Sequence, residues 1–264
     1  MYLIGVDVGT TGIKALACDA SGNVVAKSFV GYPLHHPRPG WAEQDPADWW
    51  RATLGSLKQL ASSLGTRAAE VRAIGLSGQM HGSVFLDARR NVLRPAILWC
   101  DVRTTPQCEW ITERMGGRAK LIEAVSNPAL EGFTAPKIVW LMQNEPGVFE
   151  KVDVVLLPKD YIRYLLTGEV CTEVSDAAGT LLFDVANRRW SEKVLNALGI
   201  PPSIMPECRE SVDVCGYLSK PVAEQVGLPA GIPVAGGGAD LDEHLELPVA
   251  GARLVVAAGG LQRG

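Results

Sequence analysis

Apolar residues gather at the start of the chain into three short blocks separated by turn residues, which predicts three consecutive strands. The blocks are "YLIGVDVG", "IKALACDA" and "VVAKSFVGY", rich in Val and Ile. Gly9-Thr10-Thr11-Gly12 joins the first two, and Ser21-Gly22-Asn23 turns the second into the third. After a proline-rich, extended segment, "YPLHHPRPGWAEQ", the period becomes helical. Asp45 reads as an N-cap, Pro46 as the first helical position and Asp48 as a first-turn acid. Trp49, Leu54, Leu57, Leu60 and Leu64 then recur at largely three- and four-residue steps, so one helix face packs on a sheet.

"VRAIGLSGQ" (71–79) is a strongly apolar strand, and "SVFLDA" and "LRPAILWCD" read as further strands. Helices are predicted around 104–116, 135–150 and 159–167. "SDAAGTLLFD" (175–184) reads as turn and strand, "SEKVLNALG" as a short helix, and "GIPVAGGGAD" (231–240) as a strand entering a glycine run. Strands and helices in this order predict an α/β layered domain with a helical insertion.

Composition narrows the function classes. The 264 residues are 47% hydrophobic and 20% charged, with net charge −4 and no basic stripe or acidic tail, so neither nucleic acid nor a membrane is an expected partner. No apolar run is long enough to span a bilayer. Cys18, Cys100, Cys108, Cys171, Cys208 and Cys215 lie far apart, without zinc-ligand spacing, and read as thiols in a reducing compartment. Asp7 interrupts the first apolar run, which is unlike a signal peptide, and a soluble cytoplasmic protein is expected.

Four stretches carry candidate chemistry. Gly9, Thr10, Thr11 and Gly12 could cradle phosphate through backbone N–H groups and hydroxyls, with Lys14 adding charge. Asp7 beside them makes sense if a Mg²⁺ ion lies between carboxylate and phosphate. An ordinary hairpin with polar turn residues fits this stretch equally well. In "GQMHG", His81 either bonds a ligand hydroxyl beside an apolar wall formed by Met80, or caps a turn. Asp101 and Arg103 read as a helix cap with an ion pair. Asp240, after three glycines at a strand end, is placed to take the proton of an attacking hydroxyl, or is a turn carboxylate.

Several separated motifs together resemble the FGGY family of sugar kinases: "GVDVGTTGIKA", "WAEQDPADWW", "LSGQMHG", "LRPAILWCDVR", "GFTAPKIVWL", "LLPKDYIRYLLTGE", "SDAAGTLLFDV" and "PVAGGGAD". "SGQMHG" and "SDAAGT" resemble the family's xylulokinases in particular. The resemblance implies an actin-like, ribonuclease-H-type fold, and transfer of the γ-phosphoryl of ATP to the 5-hydroxyl of D-xylulose. It further implies that Asp7 holds Mg²⁺ or positions phosphates with Thr10, Thr11 and Lys14, that Met80 and His81 contact the sugar, and that Asp240 is both base and sugar ligand. Residues 1–240 are expected to be the family's N-terminal domain. From Leu241, which stands where the family pattern has asparagine, a divergent tail with Asp242, Glu243, His244 and Glu246 is expected. The abrupt change there points to a shifted reading frame or an altered end. The family's second domain, which the resemblance expects to bind adenosine, has no counterpart in the sequence, so slight turnover and self-association through an apolar face are expected. A non-catalytic sugar- or phosphate-binding fragment, or a family kinase acting on another ketose or polyol, are the alternatives.

Overall fold

The computed structural model describes residues 1–239, and the backbone alone of the strands Leu245–Val249 and Ala252–Val256. The three predicted strands are β1 (Tyr2–Val8), β2 (Gly12–Asp19) and β3 (Val24–Gly31), joined as an antiparallel meander. β1 pairs on its other side, in parallel, with the strand Val71–Gly78. The strands Pro233–Ala235 and Gly238–Ala239 also run parallel to Val71–Gly78, and Val214–Tyr217 closes the far edge antiparallel. The result is a mixed seven-stranded sheet.

The two-residue period of β1 sorts its side chains by face. Ile4, Val6 and Val8 join Ile13, Ala15 and Ala17 of β2, and Ile74 and Leu76, in a core covered by helices. Leu3 packs with Cys18, Ala73 and Ala235 on the opposite face. Over the first face lies α1 (Pro46–Leu64), which starts as its sequence predicts: the Asp45 side chain accepts the Ala47 N–H, and Pro46 needs no amide partner. Trp49, Leu57, Leu60 and Leu64 are buried and Leu54 half-buried. Each fully buried side chain of this kind contributes about 2 kcal/mol.

The insertion forms a second core between helices Thr105–Arg114, Thr134–Asn144 and Glu192–Leu198. Three sequence expectations need correction here. The helix read over 135–150 is two, because Pro146 forces Glu145 out of helical geometry (φ −133°, ψ 56°). A helix at Arg118–Val125 had no forecast. Within 175–184 the turn is a short helix, Val174–Ala178, whose start is fixed by Glu173 accepting the Ser175 and Asp176 N–H groups. Asp101 caps no helix. It accepts from Arg103 Nε (2.9 Å) and from the Ala42 amide (2.6 Å), and the Arg103 guanidinium stacks 3.5 Å from the Trp41 ring.

Charges are also buried beneath the sheet's end. Lys159 Nζ lies 2.8 Å from Asp160, 3.2 Å from Glu173 and 3.1 Å from Asp176, all fully buried. Arg163 pairs with Asp160 at 2.9 Å, and the Thr172 hydroxyl donates to Asp160 at 2.6 Å. Burial alone would pull the Lys159 ammonium down, but the three carboxylates more than offset this and hold it above its ordinary range. Burial pushes the Asp176 carboxyl up to about 7 against the attraction of Lys159. Removing the lysine would leave buried anions uncompensated. Lys159→Met is therefore expected to lower stability by about 3–5 kcal/mol in urea unfolding, far more than a surface Lys58→Met. A loss under about 1 kcal/mol would show that the cluster does not hold the fold together.

Candidate active site

β1, Val71–Gly78 and Gly238–Ala239 run in the same direction, so their C-terminal ends share one edge of the sheet, where open α/β sheets take ligands. The register makes this specific. Lys14, Asp7, Ser77 and Gly238 stand side by side in one row across four strands. Asp7 and Lys14 are cross-strand neighbours on the face opposite α1, with Asp7 Oδ2 4.0 Å from Lys14 Nζ. Gly238 is two strand spacings from Asp7, about 10 Å. Asp240 itself lies outside the described residues, as do Leu241, Asp242, Glu243 and His244.

The turn between β1 and β2 begins where their ladder stops, at Val8 and Ile13. Gly9 N–H donates to Gly12 O (3.2 Å), and the Tyr32 hydroxyl donates to Gly9 O. Burial, with Asp7 nearby, raises the Tyr32 phenol above its usual range, so it stays a donor. Gly12 has a packing reason: a Cβ there would stand 2.6 Å from the Phe29 ring. Thr11 is exposed at the tip and Lys14 is exposed on β2, whereas Thr10 turns inward and accepts from Trp99 Nε1 at 3.0 Å.

Thr10 thereby becomes part of a cavity of about 430 Å³ whose other walls include Gln79, Met80, His81, Trp99 and Phe133. The Gln79 amide donates to Val8 O (2.8 Å), carrying the chain past the strand end. A three-residue turn follows, closed by Gly82 N–H to Met80 O (2.8 Å), with His81 at φ +65°. Such a backbone costs a non-glycine residue on the order of 1–3 kcal/mol and points to a functional demand. His81 stacks edge-on against Phe133 at 4.8 Å, and Met80 and His81 also wall a second hollow of about 360 Å³ reaching Asn127, Ser175 and Ala239. Gly179, in "SDAAGT", has no room for a side chain, because a Cβ would sit 2.6 Å from His81 Cε1. Burial, and secondarily Lys137, lowers the His81 imidazole to about 4, so it is neutral at pH 7 and can both donate and accept.

Lys137 shapes the wall. Its buried ammonium donates to the carbonyls of Glu131 (3.1 Å), Gly132 and Phe133 (2.8 Å), and burial pulls it down to about 7. The glycine run is held from below. Lys159 (3.2 Å) and Arg163 both donate to Gly236 O, and Ser175 Oγ accepts from the Ala239 amide (2.9 Å). Gly237, at φ +93°, passes so close to Leu76 that a Cβ would be 2.3 Å from its carbonyl oxygen.

Of the residues singled out in the sequence, the structure brings Thr10, Met80 and His81 to one cavity. It places Gly9, Thr11, Gly12, Asp7 and Lys14 at the adjoining turn. Sequence reasoning missed Gln79, Trp99, Phe133, Lys137, Lys159, Arg163 and Ser175. A signal existed for Lys159 and Arg163, since charges interrupt an otherwise apolar helix, Pro158–Thr167. Among the described residues no cluster of His, Cys, Asp and Glu forms a metal cage, and no helix is long and apolar enough to cross a membrane.

Comparison with known proteins identifies the family and the fold. The xylulose kinase of Bacillus subtilis (strain 168) is 45% identical over 239 residues, which cover 90% of this chain and 48% of that protein. A solved structure named as a xyloylose kinase from Brucella ovis superposes with a TM-score of 0.88 at 38% identity, covering 92% of this chain and 50% of the other. Xylulose kinase from Rhodospirillum rubrum gives 0.87 at 31%, covering 91% and 49%. The chain thus spans about half the length of the curated relatives it matches. Its mixed sheet flanked by helices is the actin-like, ribonuclease-H-type fold of these kinases. Residues 2–243 match the N-terminal domain of the FGGY family of carbohydrate kinases, and the chain belongs to that family.

Proposed function

We propose that these residues form the sugar-binding and phosphate-binding part of an ATP-dependent kinase that converts D-xylulose to D-xylulose 5-phosphate. The observation that carries this reading is the cavity of Met80 and His81 opening against Thr10 of the β1–β2 turn, an arrangement that suits an acceptor pocket next to a site for phosphate. Relatives named xylulose kinase support the choice of sugar.

The donor set beside the turn suits a magnesium–phosphate ligand: one carboxylate (Asp7), one ammonium (Lys14), and turn residues 10 and 11 outside the ladder. When bound, Mg·ATP supplies the electrophilic phosphoryl group and the cation that neutralises it. Asp7 would hold the cation through water, and Lys14 with the turn amides would hold phosphate oxygens. Neutral His81 hydrogen-bonds a sugar hydroxyl, while Met80, Trp99 and Phe133 keep water from the acceptor. Asp240, which follows the clamped Gly236–Ala239 segment in the sequence, is the group proposed to take the proton of the attacking hydroxyl.

Removing one hydrogen bond and one wall should be costly to binding. His81→Leu is expected to weaken D-xylulose binding about tenfold in calorimetry. Unchanged affinity would remove His81 from the site. The same residue has a pH signature. Its folded value, about 4, lies below its ordinary 6.5, so the unfolded chain takes up the proton first. The contribution of His81 to stability is complete above about pH 6.5, declines as pH falls toward about 4, and levels off below that. Urea unfolding of wild type and His81→Gln across this window should give a steeper loss for wild type. Parallel slopes would contradict the burial of the ring.

A further inference from the structure

Gln44 belongs to "WAEQDPADWW", a family-like motif in which the sequence gives Gln44 itself no role. Its side chain is 1% exposed and makes four hydrogen bonds. Nε2 donates to Thr10 O (2.8 Å) and Pro33 O (3.2 Å), and Oε1 accepts from Trp49 Nε1 (2.9 Å) and Gln79 Nε2 (3.0 Å). These partners dictate which way both amides point. An indole N–H can only donate, so Gln44 must turn its oxygen toward Trp49. Peptide carbonyls can only accept, so its amino group must face Thr10 and Pro33. Gln79 then has to present its own amino group to Gln44, which leaves Gln79 Oε1 over.

That leftover oxygen is buried and has no hydrogen-bond partner among the described residues. Gln79 is 2% exposed and lines the cavity beside Met80 and His81. A buried acceptor without a donor is unfavourable, and Gln79 lines the cavity, so a small turn of its side chain that brings this oxygen to the hydroxyl of a bound molecule would satisfy it. The chain of contacts then runs from the cavity through Gln79 and Gln44 to the backbone of Thr10. Trp99 Nε1 reaches the hydroxyl of the same Thr10 from the cavity wall.

We propose that Gln44 is a positioning residue that couples the phosphate-binding turn to the sugar cavity. The inference rests on the assignment of turn and cavity given above. A sugar hydroxyl that donates to Gln79 Oε1 fixes the Gln79 amide and strengthens its donation to Gln44. That in turn holds the Thr10 carbonyl, so the turn is already ordered when phosphate arrives. By reciprocity, phosphate at the turn tightens sugar binding by the same factor.

The test is calorimetry on the whole chain, titrating D-xylulose with and without saturating magnesium tripolyphosphate, a probe that needs no adenosine site. Wild type is expected to bind the sugar about five- to tenfold more tightly with the triphosphate present. Gln44→Met, of similar volume but without the amide, is expected to bring that ratio within about twofold of unity while each separate affinity changes less than about threefold. Where Gln44→Met fails to fold, Gln79→Met serves: it breaks the same chain one link nearer the cavity and leaves Gln44 bonded to Trp49, Thr10 and Pro33, with the same loss of coupling expected. A variant that melts lower yet keeps the wild-type ratio has lost only packing, and overturns the proposal. A wild type that binds both ligands with no mutual effect overturns this inference alone. One that binds neither overturns the functional reading and the coupling with it.

Discussion

Three strands pointing the same way end together on one edge of the sheet, and the backbone ladder between them fixes what that edge presents. Asp7, Ser77 and Gly238 stand in one row because β1 and Gly238–Ala239 both pair with Val71–Gly78 in parallel. A slip of one residue in either pairing would turn Asp7 and Lys14 toward the α1 core or shift the glycine run away from the cavity. The register is well defended. Ile4, Val6, Val8, Ile74 and Leu76 are buried on one face, and Leu3 and Ala73 on the other.

The glycine run could not keep its place by side-chain packing, having no side chains to pack. Polar contacts take over that task. Lys159 and Arg163 grip Gly236 O, Ser175 receives the Ala239 amide, and Glu173 accepts from both Ser175 and Ser211 hydroxyls. Buried charges of this sort are poor sources of stability compared with apolar packing, but they fix direction as well as distance. Their position under the end of the sheet matches a need for orientation there. Lys137 does similar work for the opposite wall, drawing three successive carbonyls around one ammonium.

Much of this was legible in the sequence because its signals are local. The strands β1 to β3 follow from apolar blocks and turn residues, and α1 from Asp45, Pro46 and its apolar face. The turn Gly9–Gly12 and the pair Met80–His81 stood out by residue type, and the structure sets them next to one another. What stayed hidden depends on partners far apart in the chain. The helix pattern singles out Lys159, but its partners Glu173, Asp176 and Gly236 come from segments distant in the chain. Gln44 and Gln79, 35 positions apart, look like ordinary polar residues until Trp49 orients them. The helix Arg118–Val125 escaped for a different reason: it buries only Leu121 and Val125, too few to print a helical period.

The turn proposed to bind phosphate and the cavity proposed to bind sugar adjoin at one edge of one sheet. Paramagnetic relaxation tests this directly, with manganese in place of magnesium in the tripolyphosphate complex and D-xylulose labelled with ¹³C at C5. Strong relaxation of the bound sugar's C5 is expected, corresponding to a separation within about 10 Å, the two strand spacings between Asp7 and Gly238. Bound sugar whose C5 relaxes no faster with manganese at the turn than without it would place the two ligands on different parts of the molecule and rule out a shared site.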